Sequence, residues 1–314
     1  NMSFAAETKN ELARIEPEKK CCQLAEIAGF LRVSGSLRLA GGGRFTIVIT
    51  TENPAVARHY KKLIKEYFQI DTELEVGDSP GPKKGRVYLQ TIGPEMRSEQ
   101  ILRETGILMV REGNNYISDG IFDGLIRTKC CKKAYLRGIF MGAGTVNDPS
   151  NSYHLEFVCA SKTLAADLRK LINSFVDLSA KVVPRKDSYI VYMKNSEYIS
   201  DTLAIMGASS KVFIFEDVKI KKSFVNNAVR MTNCDNANTD RTLDAAQRQL
   251  AAIKKIEAVR GIDWLPEKLR LAARLRLENP EASLLQLAEM MDPPMKKSGI
   301  NNRFKKIEEI AGRL

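Results

Sequence analysis

An internal duplication limits what this chain can fold into more than any other feature of its sequence. Residues 24–37 and residues 135–146 follow the same helical pattern, and an adjacent cysteine pair precedes each copy at the same spacing. The matching positions are Cys21-Cys22 with Cys130-Cys131, Gly29 with Gly138 and Gly35 with Gly144. A repeat implies two structurally equivalent units, so it takes precedence over any element-by-element assignment.

The similarity continues beyond this segment and defines two halves, about residues 1–106 and 118–225. In each half, helix signals alternate with pairs of short strand signals. Residues 107–127 form an insertion to which the pattern assigns no role. The further matches are Val56, Leu63 and Tyr67 with Leu164, Leu171 and Phe175, and Tyr88, Leu102 and Gly106 with Tyr189, Leu203 and Gly207.

Small residues in the repeated helix predict that its two copies pack against each other. Gly138 and Gly142 lie one helical turn apart and therefore on one face of the helix. Because these positions carry no side chain, the backbone of a second helix can approach closely. The predicted packing positions are Gly29, Gly35, Gly138, Gly142 and Gly144.

The two copies resemble degenerate LAGLIDADG motifs, the paired core helices of homing endonucleases. The resemblance implies an α+β fold in which two αββαββα halves meet across these helices and their sheets form a saddle over duplex DNA. In that family the eighth position of each motif is an acid that holds the catalytic metal, and here these positions are Ser34 and Ala143. Neither residue offers a carboxylate to a divalent ion. We therefore expect no catalytic residue, no metal, no cofactor and no strand cleavage.

The charge of the chain favours a polyanionic partner. The formal net charge is +11 and the isoelectric point is about 9.3. Nucleic-acid-binding proteins commonly carry such an excess of Lys and Arg. The alternative is a basic protein whose charge serves only solubility.

Cysteine and histidine usage favours a reducing cytoplasm. Four of the six cysteines lie in adjacent pairs that do not readily bridge, and no C-x-x-C motif occurs. With His59 and His154 as the two histidines, we expect neither a zinc ligand set nor a catalytic histidine relay. The sequence has no apolar run near the about 20 residues that span a bilayer and no signal peptide, so no membrane association is predicted.

Basic residues on the predicted strands are candidates for secondary DNA contacts, because the strands of LAGLIDADG sheets lie over DNA. The alternative is that they form the solvated face of a half-buried sheet. The candidates are Arg38, Arg44 and Arg86 in the first half and Lys181, Arg185 and Lys194 in the second.

The composition changes after the second half, and we predict a polar linker and a helix over residues 226–261. Residues 226–240 are rich in Asn, Asp and Thr and are typical of a linker. A helix is predicted for 241–259, where apolar residues recur on one stripe.

Residues 262–314 have the pattern of a small three-helix domain. A helix is predicted to start at Leu265-Pro266-Glu267 and to end at Asn279-Pro280, and Ser283-Leu284-Leu285-Gln286 is a capping box that opens a second helix. Asp292-Pro293-Pro294 forces a turn, and a third helix is predicted from Ser298 to about Ala311.

The third helix has the features of a recognition helix. At 100° per residue, Ile300, Phe304, Ile307 and Ala311 form one apolar stripe and the opposite face is polar. Asn can pair bidentately with adenine, and Lys and Arg contact phosphates. The alternative is an ordinary amphipathic helix with a solvated face, for which two consecutive asparagines are a poor choice. The predicted DNA-binding residues are Lys296, Lys297, Ser298, Asn301, Asn302, Arg303, Lys305 and Lys306.

Taken over nearly its whole length, the chain resembles the WhiA family of bacterial sporulation and cell-division regulators. The segments that carry this resemblance are Asn279-Pro280-Glu281-Ala282-Ser283-Leu284, and Asp292-Pro293-Pro294 followed by Lys297-Ser298-Gly299. The resemblance implies a non-catalytic, nucleoid-associated transcription factor that binds double-stranded promoter DNA of division or sporulation genes. It leaves open whether the large domain contacts DNA, RNA polymerase or another regulator.

The sequence leaves two other functions open. The chain could be an RNA-binding protein, because LAGLIDADG relatives can act as maturases. It could also be a nuclease that uses acids outside the usual positions, such as Asp148 or Glu156.

Overall fold

The computed structural model describes residues 2–81 and 85–314. The first half begins with helix α1 (Phe4–Leu12), whose N-cap Ser3 accepts a hydrogen bond from the backbone N–H of Ala6. The elements that follow are α2 (Lys20–Ser34), β1 (Gly35–Leu39), β2 (Phe45–Thr51), α3 (Pro54–Phe68), β3 (Leu74–Asp78), β4 (Arg86–Ile92) and α4 (Ser98–Glu104). The four strands form an antiparallel sheet in the order β1-β2-β4-β3.

The second half repeats this arrangement. Its elements are α5 (Lys129–Ala143), β7 (Gly144–Val146), β8 (Leu155–Cys159), α6 (Lys162–Asn173), β9 (Lys181–Arg185), β10 (Ser188–Met193) and α7 (Ser196–Met206). The sheet order is β7-β8-β10-β9, which is the order of the first sheet. The duplicated αββαββα fold is therefore confirmed.

The insertion between the halves contains a short hairpin that the sequence pattern did not assign. Strands β5 (Leu108–Arg111) and β6 (Asn114–Ile117) pair antiparallel across Glu112 and Gly113, which have φ of 51° and 78°. The guanidinium of Arg32 donates to the backbone oxygen and to the hydroxyl of Ser118 at 2.5 and 2.8 Å. The insertion is therefore held against the end of α2.

Helices α2 and α5 pack directly against each other at the centre of the duplicated body. A Cβ atom on Gly29 would lie 2.3 Å from the backbone oxygen of Tyr135, and one on Gly138 would lie 2.3 Å from that of Glu26. A Cβ atom on Gly142 would likewise lie 2.4 Å from Cγ2 of Val33 and 2.6 Å from Oγ of Ser34. Gly35 and Gly144 instead lie close to residues of their own helices, Leu31 and Phe140. Glycine is thus required at 29 and 138 because the other helix's backbone occupies the space of a side chain.

The predicted linker is wrong, because residues 226–240 are part of one long helix, α8 (Ser209–Val259). No Gly or Pro interrupts this segment, so nothing in it breaks a helix. Three threonines bond to backbone oxygens four residues earlier: Thr232 to Ala228, Thr239 to Asp235 and Thr242 to Asn238, at 2.9–3.0 Å. All of residues 223–244 are exposed, so their polarity reflects a solvated helix and not an absence of structure.

The chain divides into two compact units, one ending at Lys221 and the other spanning Lys222–Leu314. In the second unit, Ile253 and Ile256 of α8 pack with α9 (Glu267–Glu278), α10 (Leu284–Met290) and α11 (Lys297–Gly312). No helix of the described residues is both long and apolar enough to cross a membrane.

Candidate nucleic-acid interface

The helix pair α10 and α11 is fixed by local signals that the sequence contains. The Ser283 hydroxyl accepts from the N–H of Gln286 at 3.2 Å, and the Gln286 side chain accepts from the N–H of Ser283 at 2.8 Å. This reciprocal pair is the predicted capping box, and it sets the start of α10. After the proline turn, the N–H of Met295 donates to the backbone oxygen of Ala288 at 3.0 Å, which holds the turn against α10.

The predicted apolar stripe of α11 is confirmed. Ile300, Phe304, Ile307 and Ala311 are all buried in the core of the second unit. Their burial fixes the rotation of the helix about its axis, so that the opposite side is directed away from this core. At the other end of α11, Lys255 of α8 donates to the backbone oxygen of Ala311 at 2.9 Å.

The polar residues predicted to bind DNA lie on the outward side and at the start of α11. Lys296 is the N-cap residue, and its side chain makes no capping hydrogen bond. Asn301 and Arg303 are half-buried at the margins of the stripe. Among the described residues, none makes a side-chain hydrogen bond or ion pair with the side chains of this set. The exposed members are Lys296, Lys297, Ser298, Asn302, Lys305 and Lys306.

A buried arginine, Arg276, holds α11 in place, and the sequence pattern did not indicate this role. Arg276 of α9 has 1% of its surface exposed, and its guanidinium lies 5.4 Å from the ring centroid of Phe304. It donates to Oε1 of Gln249 at 3.0 Å and to the backbone oxygen of Ala282 at 2.6 Å. Burial lowers the pKa of Arg276 from its ordinary value.

The spacing of α9 contains the signal that would have identified Arg276. The buried residues Leu269, Ala272 and Ala273 are followed by Arg276 at the seventh position after Leu269, on the same stripe. Arg276 thus joins α8, the loop after α9 and α11 through one side chain.

The strand residues proposed as secondary DNA contacts divide between two sides of the sheets. Arg38 pairs with Thr46, on the side opposite to the helix-facing Ile47 and Ile49. Arg44 precedes β2 and is exposed. Arg86 lies four residues before Gln90 in β4 and therefore on the same side of the sheet. The Gln90 side chain donates to the backbone oxygen of Ala57 in α3, so this is the helix-facing side and Arg86 does not join Arg38.

The second sheet brings its three candidates together around Tyr192. Lys181 pairs with Tyr192 in the strand register, and Lys194 Nζ lies 5.8 Å from the centroid of its ring. Arg185 Nη2 lies 3.5 Å from Oε2 of Glu156, the residue paired with Tyr192 from the other side. The basic side chains on this surface surround one carboxylate, that of Glu156, which is already paired with Arg185.

The degenerate motif positions lie where α2 and α5 end. Ser34 is the last residue of α2 and Ala143 the last of α5. The alternative acids have neighbours of their own: Oε2 of Glu156 lies 2.8 Å from Nε2 of His154, and Asp148 accepts hydrogen bonds from the backbone N–H and the hydroxyl of Ser150. Within the described ranges, the groups close enough to hold a metal include no carboxylate cluster.

The arrangement of four of the six cysteines differs from what the sequence predicted. Cys21, Cys22, Cys130 and Cys131 lie together, with their sulfur atoms within 4.8 Å of one another. The prediction of no zinc ligand set was based on the two histidines and the absence of a C-x-x-C motif, whereas the packing of α2 on α5 brings the two adjacent cysteine pairs to one place.

Comparison with known proteins gives matches along the chain. The matching family models are the WhiA N-terminal LAGLIDADG-like domain over residues 20–108, the WhiA LAGLIDADG-like domain over 132–225 and the WhiA C-terminal HTH domain over 228–311. A protein named probable cell division protein WhiA from Alkaliphilus metalliredigens is 45% identical over 312 residues, covering 99% of this chain and 98% of the relative. Its namesake from Thermoanaerobacter pseudethanolicus is 42% identical over 313 residues, covering 100% and 98%.

A solved structure has the same fold. The crystal structure of full-length DUF199/WhiA from Thermatoga maritima matches with a TM-score of 0.59 at 24% identity, covering 100% of this chain and 99% of that one.

Proposed function

The chain belongs to the WhiA family, and we propose that it is a non-catalytic regulator that reads promoter DNA through α11. The observation that carries the proposal is the outward side of this helix, where Ser298, Asn302 and Lys305 are exposed while the opposite stripe is buried. The HTH family match over residues 228–311 supports DNA binding by this region. We place the reading module at residues 262–314.

The polar residues of α11 fall into two groups, asparagines that we expect to contact bases and lysines that we expect to contact phosphates. Asn301 and Asn302 can donate to and accept from adenine in the major groove. Lys296 and Lys297 lie at the first turn, where their charges and the free N–H groups of the helix N-terminus favour phosphate oxygens. Phosphate contacts position the helix and base contacts supply selectivity.

The relatives' names connect this family to cell division, and we infer that the promoters bound belong to division and sporulation genes. A chromatin-immunoprecipitation map of the protein in its host tests this inference. Enrichment at such promoters is expected, and its loss in an Asn301→Ala/Asn302→Ala variant would show that binding to these promoters depends on α11.

Selection of a binding site from random duplexes, followed by fluorescence anisotropy, tests the reading of DNA by α11. We expect the Asn301→Ala/Asn302→Ala variant to lose preference for the selected site over scrambled DNA. Asn236→Ala removes an exposed asparagine of α8 and is the matched control, for which preference is retained. If the double variant keeps wild-type preference, the assignment of α11 as the recognition helix is wrong.

The non-catalytic part of the proposal rests on Ser34 and Ala143 at the ends of the two core helices. Incubation with supercoiled plasmid and Mg²⁺ or Mn²⁺ is expected to yield no nicked product. Nicking that is lost on Glu156→Gln would instead assign a nuclease. Preferential displacement of bound duplex DNA by structured RNA would favour the maturase-like alternative.

A further inference from the structure

Four thiols from the two halves of the duplicated body meet at one end of its core helices. Cys21 and Cys22 lie in the first turn of α2, and Cys130 and Cys131 lie in the first turn of α5. The helices run side by side in the same direction, since Gly29 faces Tyr135 and Gly142 faces Ser34. Their N-termini therefore converge, and all four sulfur atoms lie within 4.8 Å of one another.

This cluster is separate from the degenerate catalytic positions. Twelve residues separate Cys22 from Ser34 along α2, which corresponds to about 18 Å of helix. The cluster contains no carboxylate and no histidine. A set made only of sulfur ligands is the chemistry that selects thiophilic ions such as Zn²⁺ over Mg²⁺ or Ca²⁺.

The separations suit tetrahedral coordination after a small contraction. A Zn–S bond of about 2.3 Å in a regular tetrahedron places neighbouring sulfur atoms about 3.8 Å apart. The largest separation permitted by the cluster, 4.8 Å, exceeds this by about 1 Å, which rotation about the Cα–Cβ bonds can supply. Cys22 and Cys131 are buried, whereas Cys21 is exposed and Cys130 half-buried, so an ion can enter from the solvent side.

The surroundings favour an anionic centre. Four thiolates around one Zn²⁺ leave a net charge of −2, and the positive ends of two helix dipoles point toward it. Lys19 is the N-cap of α2, and Lys129 is the first residue of α5. The hydroxyl of Thr128 lies 3.3 Å from Sγ of Cys130, where it can donate to a thiolate and orient it.

We propose that Cys21, Cys22, Cys130 and Cys131 form a tetrathiolate site that binds one Zn²⁺ ion and joins the two halves of the duplicated body. Binding releases the thiol protons to solvent and leaves the oxidation state of sulfur unchanged. Because two ligands come from each half, the ion stabilises the folded pairing of α2 with α5 and has no comparable site in the unfolded chain.

The test uses the full-length protein, purified under reducing conditions, stripped with a chelator and then titrated with Zn²⁺ or Co²⁺. We expect one metal per chain after gel filtration, and for Co²⁺ the intense visible and sulfur-to-metal charge-transfer absorption of a tetrahedral thiolate complex. Zn²⁺ is expected to raise the Tm of the stripped protein.

Cys21→Ser/Cys130→Ser is the diagnostic variant, because these two positions are the least buried of the four and tolerate the change. We expect it to lose the stoichiometric metal, the charge-transfer absorption and the Tm shift while keeping its far-ultraviolet circular dichroism. Cys234→Ser, at an exposed cysteine outside the cluster, is expected to behave as wild type. The site is refuted if wild type retains no more metal than the diagnostic variant. It is refuted equally if mass spectrometry finds a disulfide between Cys21 or Cys22 and Cys130 or Cys131 that persists in reductant and excludes metal.

Discussion

Arg137 donates a hydrogen bond of 3.1 Å to Oε2 of Glu26, so an ion pair joins helices α2 and α5 inside the core of the duplicated body. The Glu26 side chain has no exposed surface, and its other oxygen lies 2.9 Å from Nε2 of His59. Arg137 also donates to the backbone oxygen of Met206 at 3.2 Å. The contact between the halves is therefore charged as well as closely packed.

Replacing Glu26 by Ala is expected to lower the free energy of unfolding by about 3–5 kcal/mol, because Arg137 would be left buried without its carboxylate partner. Urea unfolding followed by circular dichroism measures the change. Glu99→Ala breaks the exposed pair of Glu99 with Arg103 and should cost about 1 kcal/mol at most. Equal costs for the two variants would show that the buried pair contributes no more than a surface one.

Gly29→Ala is expected to destabilise the protein by about 1–3 kcal/mol, despite the higher helix propensity of Ala. The added Cβ would lie 2.3 Å from the backbone oxygen of Tyr135, so the helices must separate. Gly77→Ala is the comparison, since its Cβ would come no nearer than 3.4 Å to Leu89. A Tm for Gly29→Ala at or above that of wild type contradicts the close approach of α2 and α5.

The duplicated fold was predictable because the repeat preserves small residues, such as Gly29 and Gly138, at matching positions of the two copies, and this pattern can be read in each copy without knowing which residues it contacts. The stripe of α11 was predictable for the same reason, since Ile300, Phe304 and Ile307 follow the helical period. The helical period shows which residues share one face of a helix, and the apolar face is the one that packs into the core.

The features that could not be predicted depend on partners distant in sequence. The cysteine cluster requires the pairing of α2 with α5, and the burial of Arg276 requires carbonyl acceptors from the loop after α9 and Gln249 of α8. The error at residues 226–240 has another cause. The low apolar content of this segment shows that it is solvated, but a solvated helix can be as polar as a linker.

Asn236→Pro tests the helical state of that segment. Proline inside an exposed helix costs about 3 kcal/mol, because it removes a backbone donor and clashes with the preceding turn. We expect reduced far-ultraviolet helical signal and faster amide exchange over residues 226–240. Asn236→Ala is the control, and it should leave both quantities at or slightly above wild type. A Pro variant indistinguishable from wild type would restore the linker interpretation.

Arg276→Met is expected to destabilise the C-terminal unit by about 1–3 kcal/mol, because the backbone oxygen of Ala282 and the side chain of Gln249 lose their donor in a buried position. Thermal unfolding and amide exchange in α11 measure this change. Arg274→Met removes an exposed arginine of the same helix that pairs with Asp263, and its effect should stay within about 1 kcal/mol. DNA affinity of Arg276→Met should recover on cooling, where the folded population is restored. A variant as stable as Arg274→Met would exclude a positioning role for Arg276.

Lys296 and Asn302 are expected to change DNA binding in different ways, because one is assigned to phosphate and the other to a base. Lys296→Ala should weaken binding to selected and scrambled duplexes alike and reduce the slope of log affinity against log salt by about 1. Asn302→Ala should leave that slope unchanged and reduce discrimination at one base pair by about 1–3 kcal/mol. Anisotropy titrations at several salt concentrations separate the two effects, with exposed Lys254→Ala of α8 as the charge-matched control. If Lys254→Ala reduced the slope as much as Lys296→Ala, the effect would come from total charge rather than from a phosphate contact at the start of α11. An altered slope for Asn302→Ala would likewise contradict its assignment to a base.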